Sequence, residues 1–122
     1  MEEAKDSKLS FTGFRIKRSV ININGLIGKK MNIGLEASGE IKRDESKFHL
    51  KLNVQVSDEN EGLTVEVDAY ADYKLEGDIE DPRYSDFLYL NAPAILFPYI
   101  RAYISALTAL SGIPALTLPP VN

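Results

Sequence analysis

Apolar and polar residues alternate along three consecutive stretches in the middle of the chain. Residues 31–42, 47–57 and 63–76 carry a hydrophobic side chain at nearly every second position, and short polar segments separate them. A period of two is typical of a strand that buries one face. We therefore expect three antiparallel strands joined by hairpins.

An earlier apolar stretch, residues 9–24, predicts one more strand. Its alternation changes phase between Ile16 and Ile21, which indicates a β-bulge near Arg18 and Ser19. The following link, residues 25–30, is short enough for a hairpin between the first two strands.

The periodicity changes to 3.6 residues from Ala94 to Ser111, which predicts an amphipathic helix over 94–111. Asn91 is a candidate cap and Gly112 a natural stop. Pro98 is expected to kink this helix or to mark its first turn. Residues 82–90 are expected to form a short irregular or helical connector.

These elements predict a single α+β domain over residues 1–122, with a four-stranded antiparallel sheet and one long C-terminal helix on one face. A proline-spaced, extended tail, residues 113–122, follows the helix. A helix is only about 10–12 Å wide with its side chains and cannot cover four strands. We therefore expect uncovered apolar surface that a partner chain or a client fills.

The predicted helix has a second, nearly uncharged side with Tyr99, Ala102, Ala106 and Ala109. Small residues allow another helix to approach closely, and this side is the expected oligomer interface. The same alanines could equally reflect helix propensity alone.

Composition and charge narrow the classes of partner. The formal net charge of -4 repels nucleic acids and anionic lipids, and the one basic cluster, Arg15, Lys17 and Arg18 with Lys29 and Lys30 nearby, is interpreted as a solvated face. The acidic, polar start and the absence of a run of about 20 apolar residues predict neither an export signal nor a membrane span. We expect a cytoplasmic protein that binds no nucleic acid and does not insert into membranes.

Catalytic chemistry is not predicted. The chain has no cysteine and a single histidine, His49, in the middle of a strand on the expected polar face. The GLIGKK segment lacks the spacing of a phosphate-binding loop, and the acidic segment 76–81 lacks that of a calcium loop. Paired carboxylates such as Asp72 and Glu76 have no expected pocket to shift their pKa. We expect no enzyme, no catalytic residue, no cofactor and no metal, and favour a binding function.

The C-terminal quarter carries the most specific motif. Ile95, Leu96, Phe97, Pro98 and Tyr99, with Arg101 two residues later, resemble the ILFPYAR run of the SecB family of bacterial preprotein-export chaperones, and the same spacing continues through Pro114, Leu116, Leu118, Pro120, Val121 and Asn122. The segment LTVEV, residues 63–67, is similar to a strand of that family.

The resemblance implies a sheet with helices on one side, assembled as a dimer of dimers through the main helices. It implies ATP-independent holding of unfolded preproteins in apolar grooves and delivery to the translocation motor ATPase. On this resemblance Thr64 and Glu66 match motor-docking positions. The positions expected to line or border the client groove are Leu63, Val65, Val67, Phe97, Ile113, Leu116 and Leu118.

Three departures from the family bear on these expectations. Acidic positions expected on the first strand are Val20 and Asn24 here, and the link after that strand is short. The given sequence stops at Asn122, where the family continues into a second helix. We therefore expect extra exposed apolar surface around Ile113, Leu116 and Leu118.

Three functional hypotheses follow. The first is a SecB-like holdase for unfolded chains. The second is a dedicated chaperone for one client, such as the antitoxin of a toxin–antitoxin system. The third is an assembly module whose apolar surface is used entirely in homo-oligomerisation.

Overall fold

The computed structural model describes residues 8–120; Val121, Asn122 and the acidic start, residues 1–7, lie outside the described residues. The α+β architecture with a four-stranded antiparallel sheet and one long helix is confirmed. The elements are β1 (Lys8–Ile23), β2 (Met31–Lys42), a 3-10 turn (Arg43–Glu45), β3 (Lys47–Asp58), β4 (Leu63–Glu76) and α1 (Pro82–Leu110). The strands begin and end within one residue of their predicted bounds.

The strands lie in the order β1-β4-β3-β2, and every neighbouring pair is antiparallel. The hairpins β2–β3 and β3–β4 are confirmed. A hairpin between β1 and β2 is not formed, because β1 pairs with β4 and the two strands occupy opposite edges. The link of residues 24–30 can extend about 23 Å. This is enough to pass the ends of β4 and β3, because β1 and β2 are three strand spacings, or about 14 Å, apart.

The turn between β3 and β4 supports this crossing link. The Asn24 N–H donates to the Gly62 carbonyl at 2.7 Å, and the Glu59 N–H donates to the Lys30 carbonyl at 2.9 Å. These two hydrogen bonds hold both ends of the link to the β3–β4 turn where the chain crosses the end of the sheet.

A buried carboxylate, Asp58, fixes the same corner. It is 1% exposed and accepts hydrogen bonds from the backbone N–H groups of Gly28 at 2.6 Å, Leu63 at 2.8 Å and Asn60 at 3.1 Å. The Gly28 N–H contributes most to holding the pKa of Asp58 below its usual value, against the opposing effect of desolvation. Asp58 therefore joins β3, β4 and the crossing link through one ionised group.

The bulge predicted near Arg18 is confirmed by a register shift between Ile16 and Arg18. A second shift, between Phe11 and Gly13, was not predicted. Each shift places an extra residue in β1 opposite β4 and so changes which β1 side chains face the helix.

Helix α1 begins twelve residues before the predicted start of 94. The prediction that residues 82–90 form a separate connector and that Asn91 is the cap is wrong. Asp81 is the cap, its Oδ1 accepting from the Arg83 N–H at 2.9 Å, and Pro82 occupies the first turn, where its missing donor costs nothing. The Asn91 side chain instead donates to the Phe87 carbonyl at 2.7 Å inside the helix.

Both Pro93 and Pro98 lie inside α1, so Pro98 does not mark its first turn. Each proline removes one helical hydrogen bond, and separate hydrogen bonds attach the helix to the sheet. The Tyr73 hydroxyl on β4 donates to the Ala92 carbonyl at 2.6 Å, and the Tyr84 hydroxyl lies 2.9 Å from the carbonyls of both Lys8 and Glu76. These two tyrosines fix the first half of the helix to the sheet.

The core lies between α1 and the inward rows of β3 and β4. From Phe48 to Val56 on β3 and from Leu63 to Leu75 on β4, every second residue is at most 5% exposed. The helix buries a matching stripe against them: Leu88, Ala92, Leu96, Phe97, Ile100 and Ile104.

By length and composition, α1 is also apolar enough to cross a membrane, contrary to the expectation from its sequence. Leu96, Ile100 and Ile104 are nevertheless fully buried against the sheet, within an 18-residue apolar window of which 28% is buried. Because a core helix passes the same test, we interpret α1 as the core helix of this domain.

Candidate functional site

The tail after α1 folds back along the helix. The Arg101 Nε donates to the Leu118 carbonyl at 2.7 Å, and the Leu116 N–H donates to the Thr108 Oγ1 at 2.8 Å. Arg101 and Thr108 are seven residues apart and share one flank of the helix. Tyr103, on the opposite flank, contacts Ser19 of β1 through its hydroxyl at 2.7 Å. The tail therefore lies on the flank of α1 that faces away from β1.

Most of the residues predicted to line a client groove are buried. The exposed fractions are 1% for Leu63, 2% for Val65, 0% for Val67, 2% for Phe97 and 1% for Leu118. In this protomer they pack in the core and are not open to a client, because the longer helix and the returning tail together cover β3 and β4.

The end of the tail is only partly exposed. Ile113 and Leu116 are half-buried against the core, and the extra exposure expected at Leu118 is not observed. Leu118 fills the space beside α1.

One uncovered apolar surface on the helix side of the sheet lies on β2; on the other edge strand, β1, Phe14 is 39% and Ile23 is 45% exposed. Ile33 is 37% and Leu35 is 44% exposed, and both face the helix side of the sheet, because their register partners Val56 and Val54 are buried there. Ala37 continues the row and is also exposed. We call Ile33, Leu35 and Ala37 the β2 row.

The β2 row borders a free sheet edge. Among the described strands, β2 pairs only with β3, so the backbone N–H and C=O groups along its outer side have no strand partner. The sequence predicted that β2 is half-buried but not that it is an edge strand, which α1 contacts at Gly39 through the Tyr89 hydroxyl and leaves uncovered at Ile33 and Leu35.

Thr64 and Glu66 face the opposite, polar side of the sheet. The Glu66 Oε1 accepts from Arg18 Nη1 at 2.8 Å, and its Oε2 accepts from Asn53 Nδ2 at 3.1 Å. The Arg18 hydrogen bond is the main cause that lowers the pKa of Glu66. Asn22 donates to Thr64 Oγ1 at 3.4 Å. Glu66, which by resemblance matches a motor-docking position, is therefore an ion-paired carboxylate in this structure.

His49 lies on the same polar side and contacts Asp72, with 2.6 Å between its Nδ1 and Oδ1. Desolvation raises the pKa of Asp72, but the hydrogen bonds from His49 and Arg15 outweigh it, and the net shift is downward. Within residues 8–120 there is no group of three or more metal-ligating side chains. The arrangement is that of a paired surface carboxylate.

The predicted oligomer face is open to solvent. Ala102, Ala106 and Ala109 are exposed, and Leu110 is 88% exposed. Tyr99 is 45% exposed, and its ring packs at 5.3 Å from Phe11 and 4.9 Å from Phe14 of β1. The structure thus packs Tyr99 against apolar residues of β1, on the same side of α1 as the exposed alanines.

Comparison with known proteins identifies the family. The model of the SecB family, described as preprotein translocase subunit SecB, matches residues 26–122. The chain belongs to the SecB family. This SecB-family match includes β2 and its uncovered row as well as the C-terminal motif.

Relatives of this SecB-family chain come from archaea and bacteria. It is 30% identical over its whole length to the uncharacterized protein MJ0357 of Methanocaldococcus jannaschii, of which the match covers 84%. It is 33% identical over 96 residues to the protein-export protein SecB of Acinetobacter baylyi, covering 76% of this chain but only 62% of that protein.

A solved structure has the same fold. The SecB-like chaperone Rv1957 of Mycobacterium tuberculosis, in complex with a ChAD peptide from the HigA1 antitoxin, matches with a TM-score of 0.78 at 16% identity, covering 93% of this chain and 88% of that one. At this identity the likeness concerns the fold.

Proposed function

We propose that this SecB-family protein is an ATP-independent chaperone that holds unfolded polypeptides, and that the β2 row with the adjacent free edge is its client site. The observation that carries the proposal is the exposure of Ile33 and Leu35 beside an unpaired strand edge. An extended client segment adds a strand to the β2 edge and places alternate side chains against the row. Backbone pairing of this kind is insensitive to the client's sequence.

The energetics require more than one protomer. Covering two half-exposed aliphatic side chains contributes only about 2 kcal/mol, whereas a dissociation constant of 1 μM corresponds to about 8 kcal/mol. Several β2 rows on one assembly would bind one long client with a much higher effective affinity. We therefore propose a homo-oligomer, with a dimer of dimers as the family-based assembly, formed through the exposed face of α1 with Ala102, Ala106 and Ala109.

Delivery to an export motor is a separate question. The acidic residue predicted to meet the motor, Glu66, is already paired with Arg18 at 2.8 Å. We therefore limit the proposed mechanism to holding the client and do not assign motor docking to Thr64 and Glu66.

The second candidate function is that of a dedicated chaperone for one client protein. The SecB-like neighbour of known structure was solved with a peptide from an antitoxin, and this supports the hypothesis of a chaperone with one partner. The two candidates differ in client range: a general holdase binds unrelated unfolded proteins with similar affinity, and a dedicated chaperone does not.

Light scattering tests the proposal. Guanidinium-denatured rhodanese is diluted into buffer with a stoichiometric excess of the assembled protein and no ATP. We expect suppressed aggregation, and a second, unrelated client should be held equally well if the range is general. An unchanged scattering curve with both clients would contradict the holdase proposal.

Sedimentation and dye binding distinguish the third hypothesis, a pure assembly module. A closed oligomer that binds no apolar dye would indicate that its own subunits use all of the apolar surface. We expect an oligomer that still binds dye through the β2 row.

A further inference from the structure

Three lysines lie side by side across one end of the polar face of the sheet. Lys42 of β2 is directly opposite Lys47 of β3, which in turn is directly opposite Lys74 of β4. Residues opposite each other in antiparallel strands place their side chains on the same face, with about 5 Å between their Cβ atoms. We call these three residues the lysine row.

This row is unfavourable for the isolated sheet. Like charges directly opposite each other destabilise a strand pair by a few tenths of a kcal/mol to about 1 kcal/mol. Lys42 has Glu40 at 3.0 Å and Lys47 has Glu45 at 3.9 Å, both exposed pairs, and Lys74 forms no ion pair with any residue of the 8–120 range. Intramolecular charges therefore compensate the row only in part.

A second group of cations lies four residues further along β4. The Tyr70 ring has the Lys17 Nζ at 4.4 Å, the Lys51 Nζ at 5.7 Å and the Arg15 Cζ at 5.8 Å from its centroid. Four residues of a strand span about 13 Å, so the two groups are separated by about 13 Å on one surface.

Two acidic residues, Glu40 and Asp72, lie in the row between the two groups, and both are paired, Glu40 with Lys42 at 3.0 Å. Asp72 accepts from Arg15 at 3.0 Å and contacts His49 at 2.6 Å. The lysine row, the cations around Tyr70 and these paired carboxylates form a positively charged area on a protein whose formal net charge is -4.

We propose that this area, on the face opposite the β2 row, binds an acidic, extended segment of a partner protein. A chain with carboxylates about four residues apart matches the 13 Å between the lysine row and the Tyr70 group, and its charge relieves the repulsion within the row. The site does not depend on the proposed holding of unfolded clients.

A protein segment fits better than a nucleic acid. The positive area ends at Glu66 and Asp68, two carboxylates on the same face of β4 that share the one guanidinium of Arg18. A negative charge therefore remains, and a long phosphate backbone would meet repulsion. Tyr70 is the one aromatic residue in the area, and Lys17 already lies over its ring, so no row of stacking platforms is available for bases.

The test uses a fluorescein-labelled peptide of eight glutamates, with binding followed by fluorescence anisotropy in 50 mM and 300 mM salt. The test variant is Lys47→Glu/Lys74→Glu. The control, Lys29→Glu/Lys30→Glu, makes the same change in net charge at two exposed lysines in the link between β1 and β2. We expect about a tenfold loss of affinity in the test variant at low salt, less than a twofold loss in the control, and weaker wild-type binding at high salt.

Two results would overturn the proposal: no binding of the peptide to the wild-type protein at 50 mM salt, or an equal loss of affinity in both variants. A single-stranded oligouridine of 20 nucleotides serves as the competing probe. The area is a nucleic-acid site, and the proposal is wrong, if the oligouridine binds the wild-type protein more tightly than the peptide does and only the test variant fails to bind the oligouridine. Circular dichroism of both variants shows that the comparison is between folded proteins.

Discussion

The Arg101 Nε donates a hydrogen bond to the Leu118 carbonyl at 2.7 Å, and this bond fixes the end of the tail against the core beside α1. The tail thereby occupies the place where the sequence predicted a client groove. The protomer instead leaves apolar side chains uncovered on β2, where Ile33 and Leu35 are exposed beside a free sheet edge.

The tail makes a measurable contribution to stability. Leu118→Ala should lower the free energy of unfolding by about 2–4 kcal/mol, because it removes a side chain that is 1% exposed. Leu110→Ala, at a position that is 88% exposed, should change it by less than about 0.5 kcal/mol. Urea titration followed by circular dichroism measures both, and similar values for the two variants would show that the tail does not pack as described.

Gly39 on β2 allows Phe48 and Tyr89 to pack closely. A Cβ at position 39 would approach the Phe48 ring closer than van der Waals contact permits, whereas at Gly34 on the same strand it would meet Gln55 at 3.8 Å. Gly39→Ala should therefore destabilise the protein by about 1–3 kcal/mol. Gly34→Ala should be neutral or stabilise it by up to about 1 kcal/mol. A thermal melt of each variant checks this, and equal melting temperatures would contradict the described packing.

Asp58 should make stability depend on pH in the acid range. Its pKa is lowered in the folded state, chiefly by the Gly28 N–H, so its stabilising contribution is complete above the ordinary carboxyl pKa of about 4 and is lost as the pH falls through the lower folded value. Asp58→Asn should be less stable than the wild type at pH 7, and the difference should shrink below pH 4.

The matched control for Asp58 is Asp44→Asn in the exposed 3-10 turn, which should have the same urea midpoint as the wild type at each pH between 3 and 7. A constant difference between Asp58→Asn and the wild type over this pH range would show that the pKa of Asp58 is the same in the folded and unfolded states and would contradict this account.

Much of the sheet could be predicted from the sequence, because a period of two is a local property of each strand. The order of the strands could not, since the link of residues 24–30 is as short as a hairpin loop and only its contacts with the β3–β4 turn reveal the crossing. The early start of α1 depends on Asp81 and Pro82, a local cap signal that the apparent cap at Asn91 obscured.

The candidate site was harder to predict than the fold. Leu63, Val65 and Val67 have the same alternating pattern whether or not the helix covers them. Whether it does depends on contacts between residues far apart in the sequence. The tail has no periodicity of its own, and its position is set by contacts with Arg101 and Thr108, which only the folded structure brings together. Ile33 and Leu35 are exposed because one helix is too narrow to cover four strands. The sequence did indicate that some apolar surface would stay uncovered for this reason.

The exposed face of α1 should mediate the proposed assembly. Ala106→Glu places a charge among Ala102, Ala109 and Tyr99 and should shift the sedimentation coefficient toward that of a smaller species without loss of helicity, since glutamate is a good helix former. Ala115→Glu, the same change at an exposed position of the tail, should leave the assembly intact. An unchanged oligomer with Ala106→Glu would exclude this face as the interface.

The most direct test of the client site measures binding of fluorescently labelled, reduced and carboxymethylated α-lactalbumin, a permanently unfolded protein, by anisotropy. The comparison is between Leu35→Ser, in the β2 row, and Leu26→Ser, which removes a leucine that is 84% exposed in the link. Several rows acting together should make the loss for Leu35→Ser about tenfold, with Leu26→Ser within twofold of the wild type. Wild-type affinity in Leu35→Ser, or an equal loss in both variants, would contradict the assignment of the β2 row as the client site.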